Sequence, residues 1–71
     1  MNPKHEKELW QIRFQKILDL EKESFDFYGK LLEEKSALLK EAGLDSTIQQ
    51  IRRDEGKHIR IATELLRLVS E

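Results

Sequence analysis

The chain has 71 residues, no cysteine, a formal net charge of −1, and 38% charged residues of both signs. One small domain of this length buries only about 60% of its unfolded surface, so its stability calls for a disulfide, a metal or self-association. Without cysteine there is no disulfide framework, thiolate zinc site, iron–sulfur cluster or thiol nucleophile, and the interspersed charge argues against nucleic acid and membrane surfaces as partners.

Residues Met1 to Glu8 carry charge and no apolar stretch, so no secretory signal is expected and cytoplasmic residence is the default. No apolar run approaches the roughly 18 residues of a membrane span. Asn2 suits a helix N-cap and Pro3 the first helical position, which predicts a first helix over about 3–40. Its apolar stripe runs from Trp10, Phe14, Ile17 and Leu18 through Phe25, Tyr28, Leu31 and Leu32 to Leu38 and Leu39. Glu21 and Ser24 interrupt that stripe, Glu21 on its centre line. Gly43 is placed to end the segment in a left-handed conformation, and Asp45 or Ser46 to cap a second helix over about 46–70. Leu9, Trp10, Ile12 and Phe14 are expected to overhang the shorter second helix and to pack on another subunit.

The second helix is more unusual. With 3.6 residues per turn, Leu44, Ile48, Ile51, Ile59, Ala62, Leu65, Leu66 and Val69 share a face whose centre is occupied by Glu55 and His58. A carboxylate taken out of water must be protonated, ion-paired or bound to a metal. Glu21 from one helix and Glu55-x-x-His58 from the next are half of the ligand set of a carboxylate-bridged di-metal site in a four-helix bundle. Two copies related by a twofold axis would supply four carboxylates and two imidazoles, whose charge balances two divalent ions. The fold expected is therefore all-α: an antiparallel two-helix hairpin that dimerises into a four-helix bundle.

The run Glu21-Lys22-Glu23-Ser24-Phe25-Asp26-Phe27-Tyr28, followed by Asp54-Glu55-Gly56-Lys57-His58, resembles the metal-binding helices of rubrerythrin-type members of the ferritin-like superfamily. In size and arrangement the chain is similar to the encapsulated ferritins, two-helix half-ferritins with a ferroxidase centre at a subunit interface. The resemblance covers about residues 9–70. It implies that Glu21, seven residues before Tyr28, is the ligand from the first helix, that Glu55 bridges the metals, and that His58 is a terminal ligand. It also implies two iron ions per dimer, Fe(II) oxidation, a ring of dimers, and residence within an encapsulin shell. The short cargo tail expected of a shell-bound protein is not evident, and the cysteines of a full rubrerythrin are missing.

The connection between Glu21 and Glu55 is longer than in that family. Were the first helix straight to Ala42, Glu21 would lie roughly 33 Å from the turn and Glu55 roughly 15 Å, at 1.5 Å per residue. Either some of residues 36–45 are therefore expected to fold back as an irregular or separately helical connector, or tilted, exchanged helices restore the register. Around the ligands, Tyr28 is either an interfacial aromatic or a hydrogen-bond donor to a ligand carboxylate. Asp54 either orients His58 or is solvated. Asp19, Glu23 and Asp26 form an acidic ridge that would draw cations in, or an ordinary charged helix edge. Gly29 and Gly56 point to close helix approach or solvent access. Arg53, Lys57, Arg60 and Arg67 line the far side of the second helix and have acidic partners enough to make a nucleic-acid footprint unnecessary. Two other functions fit the same residues: a metal-independent hairpin module whose polar pair fixes register, and a non-redox zinc or manganese site.

Overall fold

The computed structural model describes residues 3–71, in which the elements are α1 (Pro3–Glu34), α2 (Ser36–Glu41) and α3 (Asp45–Ser70), with no strand among the described residues. α1 and α3 run antiparallel. At one end Gln11 Nε2 donates to the Val69 carbonyl at 3.1 Å and Lys7 Nζ to the Glu71 carbonyl; nearer the turn, Arg52 Nε donates to the Phe25 carbonyl at 3.2 Å. The product is a rod of 55 × 15 × 14 Å. The expected cap Asn2 lies outside the described residues.

α1 stops at Glu34, short of residue 40. Lys35, at φ −122° and ψ 23°, leaves the helical region, and the chain resumes as the separate helix α2. No proline or glycine marks this bend, so its cause is tertiary. Turning the segment brings Leu39 into the core at 8% exposure, while Leu38, assigned by periodicity to the same stripe, stays 61% exposed. α2 touches both long helices and closes the end of the hairpin.

Gly43 then turns the chain at φ 71°, a region that costs a residue with a Cβ roughly 1–2 kcal/mol. The Leu44 amide donates to the Leu39 carbonyl at 2.8 Å and the Gly43 amide to that of Lys40 at 3.1 Å, the paired bonds of a Schellman motif. The turn is so tight that the Leu44 carbonyl already accepts the Ile48 amide at 3.0 Å. Leu44 is therefore the N-cap of α3, in place of Asp45 or Ser46, and no side chain caps the helix. Asp45 sits in the first turn, where its charge suits the positive end of the helix.

The overhang expected of Leu9, Trp10, Ile12 and Phe14 is not present. α3 reaches back to the level of Lys7 and Gln11, because α1 stops at Glu34 and α3 starts directly after the Gly43 turn. Trp10 stacks on Phe14 with ring centroids 5.4 Å apart, Arg13 lies 4.9 Å over the Trp10 ring, and Leu9, Trp10 and Ile12 remain exposed.

Among the described residues only Leu18, Leu39 and Ala62 form a buried apolar core. Ala62, at 3% exposure, lets α3 approach α1 closely. The chain exposes 5533 Å², against about 4,650 Å² for a typical folded monomer of this mass. Ile17, Leu20 and Phe27 on α1, and Ile61, Leu65 and Leu68 on α3, are exposed at spacings of three, four and seven residues, which keep to one side of a helix. In an antiparallel pair these two stripes lie on the same side of the rod, which leaves one face unpartnered. No helix among the described residues is long and apolar enough to cross a membrane.

Candidate metal centre

Glu21 stands near the middle of α1, and Glu55 and His58 stand one turn apart near the middle of α3. With α1 ending at Glu34, Glu21 lies roughly 20 Å from the end of its helix and Glu55 roughly 15 Å from the start of its own, at 1.5 Å per residue. The connector takes up the difference. One ligand atom from each of Glu21, Glu55 and His58 comes within 4.8 Å of the other two. Glu21 and Glu55 are half-buried and His58 is exposed.

The three groups do not satisfy one another. Glu21 Oε2 is buried and has no hydrogen-bond partner, and its approach to His58 Nδ1, 3.5 Å, is that of a loose ion pair. The Glu55 carboxyl is held above the usual carboxylate range, first by the hydrogen bond it makes with Glu21 when the two share a proton, then by burial and by the Glu21 charge. His58 pulls the other way, and the nearby charge of Asp54 adds to the rise. Two carboxylates at such close range make a site of negative potential, which a divalent cation relieves. The donor set is hard oxygen with one imidazole, which suits Fe(II), Mn(II) and Zn(II) and excludes soft-metal chemistry. Three donors do not complete the shell of any of these ions, so further ligands must come from water or from a second chain.

The accessory residues sit farther out. Tyr28 meets the edge of Phe27 with centroids 5.4 Å apart, and among the described residues no hydrogen bond joins its hydroxyl to Glu21, Glu55 or His58. Asp54 Oδ1 accepts from the Gln50 side-chain amide at 2.9 Å and not from His58. Asp19 likewise accepts from Gln15 at 2.9 Å. Glu23 and Asp26 are exposed on the outer edge of α1. In the basic row, Arg67 pairs with Glu64 and Glu71, and Arg53 donates to Gln50 at 3.1 Å.

One residue near the site lay outside the sequence reading. Arg52, a turn before Glu55, lies over the Phe25 ring with its guanidinium carbon 4.1 Å from the centroid. Its guanidinium occupies the space a Gly29 side chain would fill: a Cβ there would stand 2.7 Å from Arg52 Nη2. At Gly56 a Cβ would stand 3.5 Å from the Phe25 ring, an ordinary van der Waals distance, so close approach explains Gly29 and not Gly56. The available signal was positional, since Arg52 falls at the edge of the buried stripe of α3, away from the row of exposed cations.

On the other side of the site, Glu21 and His58 border an open apolar groove of about 180 Å³, walled by Phe14, Ile17, Ile61, Ala62 and Leu65. The groove belongs to the unpartnered face. Comparison of the chain with protein-family models, curated proteins and solved structures found no match.

Proposed function

We propose that the chain is an iron-binding half-bundle with ferroxidase chemistry, in which two copies pair through the unpartnered face and bring Glu21, Glu55 and His58 of each copy around two ferrous ions. The observation that carries this reading is the convergence of those three donors within 4.8 Å, beside a buried carboxylate oxygen that no group in the chain satisfies. The surplus of about 900 Å² over a typical monomer is close to what one partner contributes to a standard interface, roughly 800 Å². Ile17, Ile61 and Leu65, next to the ligands, would be covered by the same event.

Iron here is the substrate. Two Fe(II) give up one electron each, and the pair of electrons with two protons takes dioxygen to hydrogen peroxide, or peroxide to two waters. The chain's part is to supply negative charge that offsets the rise from Fe(II) to Fe(III), and to hold the donors without a change of fold. Glu21 and Glu55 carry that charge, and carboxylates tolerate the change because they can bind through one oxygen or two. His58 fixes the end of the set with a neutral nitrogen. Assembly of dimers into a ring, and enclosure in a shell, are extensions of the family resemblance alone.

Native mass spectrometry with and without Fe(II) tests the reading: two ions per dimer are expected, together with rapid Fe(II) oxidation that Glu55→Ala abolishes. Unchanged oxidation by Glu55→Ala refutes it. Zn(II) or Mn(II) bound at the same stoichiometry without oxidation would identify a non-redox version of the site. A metal-independent pairing module has its own support in the His58–Glu21 contact, which forms without an ion, and it expects a dimer of unaltered mass.

A further inference from the structure

Arg52 stands three residues before Glu55 on α3, the spacing at which a helical arginine and a glutamate pair readily. They do not pair here. No ion pair joins them among the described residues, and Arg52 is not among the charges that act on the Glu55 carboxyl. The guanidinium is turned instead to the opposite side of the hairpin. Nε is bonded to the Phe25 carbonyl at 3.2 Å, the planar head covers the Phe25 ring, and the tip rests where Gly29 has no side chain. Phe25 and Gly29 are one turn apart on α1, so a single stretch of that helix provides carbonyl, ring and gap together.

We propose that Gly29 is the seat of Arg52, and that this seat keeps the guanidinium away from Glu55 so that the carboxylate is free for a cation. The inference rests on the metal reading for its purpose, but the seat itself does not depend on it. A free guanidinium one turn from Glu55 would compete directly with metal, because it forms a bidentate bond with a carboxylate. Arg52 is thus a positioning residue whose placement protects a ligand it never touches. Gly29 matters for the space it leaves, and a glycine inside a helix, a destabilising choice on its own, gains a reason.

Gly29→Ala is the decisive variant. The atoms in the way belong to the end of a flexible side chain, and alanine is the better helix former, so the hairpin folds while the guanidinium is displaced. Two readouts separate the seat from the metal site. In metal-free protein, the Arg52 Nε proton, shifted upfield by the Phe25 ring in the wild type, should move to its ordinary position in Gly29→Ala. In a Co(II) titration followed by visible absorption, Gly29→Ala should bind roughly twofold to fivefold more weakly, the scale of one exposed charge pair acting in competition. The double variant Gly29→Ala/Arg52→Ala should recover the wild-type affinity. An unshifted Arg52 proton in the wild type, wild-type Co(II) affinity in Gly29→Ala, or a double variant as weak as Gly29→Ala would each overturn the proposal. If the wild type binds no Co(II) and yet shows the upfield proton, the seat stands, while its role in sparing a metal ligand falls with the metal reading.

Discussion

Replacing Glu55 by glutamine should make the metal-free protein more stable at neutral pH, the opposite of what most substitutions at a helix–helix contact do. The Glu21 and Glu55 carboxylates come within 4.8 Å. Coulomb's law at that distance gives roughly 3.5 kcal/mol of repulsion at an effective dielectric constant of 20 and roughly 0.9 kcal/mol in bulk water. Both groups are half-buried, so the relief should be about 1–3 kcal/mol, with the opposing pull of His58 on the Glu55 carboxyl drawing it to the lower end. For a domain of this size that is a rise in Tm of roughly 5–20 °C. The sign of the pH dependence follows from the raised Glu55 pKa. The folded state prefers the protonated acid, so its contribution is fully present below the unfolded value of 4.5 and is lost as pH rises through the higher folded value. Wild type and Glu55→Gln should therefore melt alike near pH 4 and separate toward pH 7. Circular dichroism melts in chelator at fixed protein concentration read this directly. Adding Co(II) should reverse the order at pH 7 by stabilising only the wild type. A Glu55→Gln protein that melts at or below the wild type at pH 7 in chelator would refute the account of the site as a strained pair of like charges.

Two further outcomes test the scaffold and the free face. Gly43→Ala should lose about 1–2 kcal/mol and Gly43→Asn less, measured by urea unfolding, because the φ of 71° and not any crowding forbids a side chain there. Leu65→Glu, on the exposed stripe beside His58, should abolish self-association in sedimentation velocity while leaving the helical circular dichroism signal in place.

Glu21, Glu55 and His58 were legible in the sequence because each sits on the centre line of an apolar stripe, where helical periodicity leaves little choice about direction. Their convergence required more than periodicity. It depends on α1 stopping at Glu34, and the segment that follows, Lys35-Ser36-Ala37-Leu38-Leu39-Lys40, is composed largely of residues that continue a helix well. The bend is decided by where Leu39 is buried, which is a property of the packed hairpin. A mismatch in level between the two carboxylates still pointed to a connector somewhere in 36–45. The turn at Gly43 was readable from glycine's access to positive φ, whereas the identity of the cap was not, because the Schellman turn draws Leu44 into both helices at once. Arg52 escaped notice for a different reason. Arginines on a charged helix are ordinarily solvated, and only the gap at Gly29 on the other helix shows that this one is not.

The bend at Lys35 separates two lengths that a plain hairpin ties together. In an uninterrupted helical pair, every residue added between Glu21 and the turn must be answered by one added before Glu55, or the acids slide past each other. Here α2 stands between α1 and the Gly43 turn as a separate spacer, so residues can be gained or lost in it without shifting the rungs on which those acids stand. Chain length between two ligands and their separation in space thereby become independent variables, and the short helix gives the loop freedom to vary while the chemistry stays in place.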